Sequence, residues 1–168
     1  MIPTVTQQLE AIRRRLAETV VPELPESAEF AHEQVLLIDA ALGFLIETHE
    51  HEYRYAVVEH HDYRTVLGEL ARLGGTTDRP VLDALDESGP GETDAVIPLP
   101  ELTERTRTMK VLVERLYRRL SADGVAGANE LMADLAARQV GREASWFRQA
   151  GFTLPGSAHI GSVLEMNP

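Results

Sequence analysis

Apolar residues recur along most of this chain at three- and four-residue spacing, the period of an amphipathic α-helix. The first such stripe is Val5, Leu9, Ile12, Leu16 and Val20. It opens at Thr4-Val-Thr-Gln7, which fits a capping box, and Pro22 and Pro25 end it. Arg13, Arg14 and Arg15 point in three directions around this helix and read as a solvated face rather than one basic patch.

The stretch from about 26 to 73 carries the longest pattern. Ile38, Leu42, Leu45, His49, Tyr53, Ala56, His60, Tyr63, Leu67 and Leu70 keep helical phase, and neither proline nor glycine interrupts residues 44–67. Local chemistry therefore predicts one continuous helix, roughly 70 Å long at 1.5 Å per residue. Two outcomes follow: a reversal near Thr48–Glu52 without the usual turn residues, or a long helix whose apolar face a partner covers. Two further stripes follow Pro100. One comprises Leu102, Thr106, Met109, Leu112, Val113, Leu116 and Leu120, closed by Asp123-Gly124; the other comprises Leu131, Met132, Leu135, Val140, Ala144 and Phe147, stopped by Gly151.

Residues 74–98 connect these halves. They hold Gly74-Gly75 and Ser88-Gly-Pro-Gly-Glu92, six acids against one base, and room for one short helical turn at Arg79–Leu85. From Phe152 onward no helical period is visible, which predicts an extended tail over 152–168. No strand alternation occurs. The pattern predicts an all-α, up-and-down bundle of four to five helices, with one domain over 1–151.

Composition narrows the functions available. The net charge of −11 over 168 residues repels polyanions and argues against nucleic acid as a partner. Ten acids against three bases in 26–73 face nine bases against seven acids in 99–151, so the halves can attract within the fold or across a dimer. Cysteine is absent, which removes disulfides, thiolate metal sites and a cysteine nucleophile. The longest nearly apolar run, Val35 to Ile46, is too short to span a bilayer and contains Asp39. A cytoplasmic location is the expectation. All sixteen bases but Lys110 are arginine, which reads as genomic base composition of the kind found in high-GC bacteria.

Candidate chemistry concentrates in the histidines. Four of six lie between 49 and 61, but residues one or two apart on a helix point away from each other, so His49/His51 and His60/His61 cannot each chelate one ion. The pairings that helical spacing permits are Glu29 with His32, Glu47 with His51, and His49 with Glu52. Glu29-x-x-His32 has the spacing of a two-ligand element of di-iron bundles, but no second Glu-x-x-His occurs. Glu29, His32, His49 and Glu52 are therefore the candidate ligands for a metal ion; no other cofactor is indicated.

Tyr53, His60 and Tyr63 share the stripe with leucines, and Asp39 is the lone charge in a segment apolar nearly all round. These four are candidates for a polar pocket, with His60 as acid–base and Tyr63 orienting a ligand. The competing reading makes each a satisfied core or interface group, with Asp39 buried against Arg105, Arg107, Arg115 or Arg118. No phosphate-binding loop, dinucleotide fingerprint, zinc-protease motif or nucleophile elbow occurs. The reading that fits is a non-catalytic accessory or binding module, a homodimer that also meets a protein partner; a small bundle enzyme or metal protein is the alternative.

Overall fold

A computed structural model of the chain describes residues 2–87, 96–148 and 158–165. Among these the protein is all-α, as the periodicity requires. The helices are α1 (Val5–Arg15), α2 (Glu29–Thr48), α3 (Glu52–Gly74), α4 (Arg79–Asp86), α5 (Leu99–Ala122), α6 (Ala128–Trp146) and α7 (Ile160–Glu165). The last corrects the sequence reading: part of the stretch expected to be extended is a six-residue helix. The acidic connection contains α4 where a short helical turn was expected, with Val81 and Ala84 buried; the expected Ser88–Glu92 loop lies outside the described residues.

Contacts group the chain into two compact units. The first comprises Met1–Glu52 and Ala144–Ile160, the second Tyr53–Glu143 and Gly161–Pro168. The expected domain end at residue 151 falls inside the first of them.

In the first unit, α1 starts with the capping box: the Gln7 amide donates to Thr4 Oγ1 at 3.2 Å, and the Thr4 amide to Gln7 Oε1 at 3.0 Å. After Arg15 the backbone passes through a π-turn (Leu16–Val20) and a 3₁₀ turn (Val21–Glu23) that accommodates Pro22. No residue of α1 is buried, although its stripe has the phase of a core-facing helix.

The long pattern over 26–73 resolves into two helices. α2 ends at Thr48, a 3₁₀ turn covers His49–His51, and α3 starts at Glu52. At the break two side chains bond carbonyls of the preceding turn. Thr48 Oγ1 donates to the Phe44 carbonyl at 2.8 Å, and His49 Nδ1 to the Leu45 carbonyl at 2.8 Å. These bonds accompany the break but do not by themselves make it, since Thr103, Thr106 and Thr108 bond back in the same way within the unbroken α5.

In the second unit, one core joins Val66, Leu67 and Leu70 of α3, Val81 and Ala84 of α4, Met109, Val113, Leu116 and Leu120 of α5, and Leu135 of α6. Turns at Gly75 and Gly124 stop α3 and α5 in the same way. Each glycine has a positive φ, 53° and 66°, and the next residue's amide reaches back to Ala71 or Leu120. These stops present the apolar faces of α3 and α5 to one core. In α6, Val140 is exposed where the stripe placed it inward.

Candidate functional site

The predicted metal ligands do not converge. Glu29 and Glu52 are exposed, at the starts of α2 and α3. His32 Nε2 meets the Pro25 carbonyl at 3.3 Å. His49 donates from Nδ1 to Leu45, and its Nε2 lies 3.3 Å from Thr6 Oγ1. His32 and His49 are seventeen positions apart on helical backbone, roughly 25 Å at the standard rise. Among the described residues, no group of three His, Cys, Asp or Glu side chains is placed to hold a metal ion.

The polar-pocket candidates also separate. Asp39 is not buried but 38% exposed, and its partner is Arg13 of α1 rather than an arginine of α5. The pair is bidentate, Nε to Oδ1 at 2.6 Å and Nη2 to Oδ2 at 2.8 Å. This bonding lowers the Asp39 pKa below its ordinary value and raises that of Arg13. Arg13 reaches Asp39 because it shares a side of α1 with Thr6, Leu9 and Leu16, the partly buried positions of that segment. Tyr53 is exposed.

His60 and Tyr63 belong to the second unit and hold helices together there. His60 is 2% exposed. The Thr106 hydroxyl donates to the Leu102 carbonyl at 2.8 Å, so at 3.2 Å it accepts from His60 Nδ1. That arrangement fixes the proton on Nδ1. Tyr63 Oη accepts from Gln139 Nε2 at 2.6 Å, and Lys110 Nζ sits 5.1 Å above the ring. Beside them, Asp62 holds both Arg138 and Arg142. Packing, rather than an open site, accounts for these groups.

One arrangement with room for a ligand lies in the first unit. A cavity of about 410 Å³ is lined by Arg13, Gly43, Ile46, Glu47, Glu50, His51, Arg148 and His159. Helical geometry explains part of it: Gly43, Glu47 and Glu50–His51 follow one another at three- and four-residue steps and share a face. Arg148, just beyond α6, places Nη2 and Nε 2.8 and 3.2 Å from Glu47 Oε1, and His159 Nε2 lies 3.5 Å from the same oxygen. The His51 and His159 rings meet edge-on, with centroids 5.7 Å apart. Glu47 is only 7% exposed, and its Oε2 has no hydrogen-bond partner. A buried carboxylate oxygen without a donor is costly.

Sequence spacing marked Glu47 and His51 as a pair but gave neither precedence over the others. Nothing in the local pattern could connect them with Arg148 or His159, about a hundred residues away. Phe44 is part of the same assembly: it stacks on Phe147 at 5.9 Å and meets Trp146 edge-on at 6.4 Å, which anchors the end of α6 beside the cavity-lining turn of α2.

Comparison with protein-family models, with curated proteins and with solved structures finds no match to this chain.

Proposed function

We propose that the protein is a non-catalytic binding module that works as a homodimer, with α2 forming the contact between copies. The observation that carries this reading is the outer face of α2. Phe30, Leu37, Ile38, Ala41 and Leu45 fall within an arc about 100° wide at 100° per residue, the width of a helix-packing stripe. Phe30 is 73% exposed and Leu37 58%. Ile38 is 48% exposed and Leu45 44%. Between Phe30 and Leu45 the arc carries one polar residue, the uncharged Gln34.

Large contiguous apolar patches are uncommon on monomers and mark association surfaces. A stripe without charge is self-complementary, so two copies can pair across a twofold axis without like charges meeting. The inner side of the same helix is already used by Leu42 and Gly43, both buried. A binding role also accords with His60 and Tyr63, whose polar atoms are engaged in packing rather than exposed to a substrate.

Sedimentation of the full chain at micromolar concentration tests the proposal. The expected mass is twice the 18.6 kDa of one chain, falling to 18.6 kDa in Leu37→Glu. A wild-type mass of one chain throughout that range would overturn it. No helix among the described residues is long and apolar enough to cross a membrane, so the stripe is not explained as a span.

A further inference from the structure

We infer that the two copies of the homodimer pair their α2 helices antiparallel, with the twofold axis passing between Leu37 and Ile38. This rests on the homodimer reading above and adds the register in which the stripe meets its copy. The first ground is spacing. The stripe occupies positions 30, 34, 37, 38, 41 and 45, all of them exposed. They read the same from either end: 30 with 45, 34 with 41, and 37 with 38. Turned end for end about that midpoint, the stripe meets itself with no position left over.

The layers that result are Phe30 against Leu45, Gln34 against Ala41 and Leu37 against Ile38, with one residue from each copy. At 100° per residue the two members of a layer lie on opposite flanks of the centre line, so they interlock side by side. The long Gln34 crosses the short Ala41, as close packing asks of facing positions. A parallel pair would instead set Ala41 against Ala41 and leave a gap. The second ground is charge. The approach to α2 and its first turns carry Glu23, Glu26, Glu29 and Glu33, all exposed. The far end carries Glu47, paired with Arg148, and Glu50 beside His49 and His51. Parallel pairing brings the two sets of four carboxylates together. Antiparallel pairing sets each against the less charged end of the other copy. Glu29 of one copy then stands roughly 25 Å along the axis from Glu29 of the other, about three Debye lengths at physiological ionic strength.

The chain has no cysteine, so introduced thiols report the register alone. Gln34→Cys and Ala41→Cys are prepared as single variants of the full chain and equilibrated in glutathione redox buffer, each alone and mixed. Both positions are exposed, so neither change disturbs a core. A disulfide needs Cα atoms within about 7 Å. In the antiparallel register like positions stand roughly 10 Å apart along the axis, and 34 stands level with 41. The mixture should therefore yield a covalent dimer of twice 18.6 kDa, and neither variant alone should. Phe30→Cys mixed with Leu45→Cys should repeat that result at the ends of the stripe. Cross-linking of Gln34→Cys alone would mean a parallel pair and overturn the inference. So would a wild-type chain that sediments as a dimer while neither mixture cross-links. Both outcomes leave the homodimer standing, whereas a wild-type mass of one chain removes homodimer and register together.

Discussion

Arg142 donates from Nη1 to Oδ2 of Asp62, while its Nε and Nη2 are buried without an acceptor. Its side chain is 1% exposed. Asp62 also accepts from Arg138 Nε at 2.9 Å, so one carboxylate serves two guanidinium groups. The two ends of this pair are therefore not equivalent. Asp62→Ala leaves a buried arginine with no counter-charge and should cost about 3–5 kcal/mol. Arg142→Met removes two unsatisfied donors and leaves Asp62 paired with Arg138, though it also removes the hydrogen bond between Arg142 and Tyr55. It should cost clearly less than Asp62→Ala, because no buried charge is left without its partner. Urea denaturation of both variants checks the asymmetry, and equal losses would contradict it.

Thr106 is predicted to matter through its oxygen rather than its shape. Thr106→Val keeps the branch but removes the acceptor for His60 Nδ1. The imidazole is then left buried beside a methyl group, at a cost of about 1–3 kcal/mol. Thr106→Ser keeps the hydroxyl and should lose clearly less. If denaturation midpoints place valine and serine together, the hydrogen bond between α3 and α5 contributes nothing.

Tyr55 should ionise above the ordinary phenol midpoint. Burial pushes its phenol up to about 12; Glu59 and Glu143 add to the rise, and Arg142 opposes it. The folded value thus lies above the unfolded one of 10.0, so the protonated phenol favours the fold below pH 10.0. That contribution is lost as pH rises through about 12. Ultraviolet titration of wild type against Tyr55→Phe should show a late phenolate transition that disappears in the variant. A difference spectrum centred at the ordinary phenol midpoint would mean that the ring is solvated.

The sequence by itself determined the helical class, because a 3.6-residue period is a local property that survives any arrangement of helices. It also determined the capping box at Thr4–Gln7 and the stop at Gly124, which depend on residues within one turn. For His60 and Tyr63 it gave the phase they share with leucines, which left a polar pocket and a packed role both open. Tertiary structure decided everything that required a choice of neighbour. Asp39 found Arg13 instead of an arginine of α5, and the stripe of α1 stayed unburied, because a helical wheel gives direction around an axis but not what lies in that direction. The break after Thr48 occurs where neither proline nor glycine marks it, so the local pattern did not reveal it. The Glu47 cavity draws on residues from positions 13 to 159, and no local spacing rule links groups so far apart along the chain.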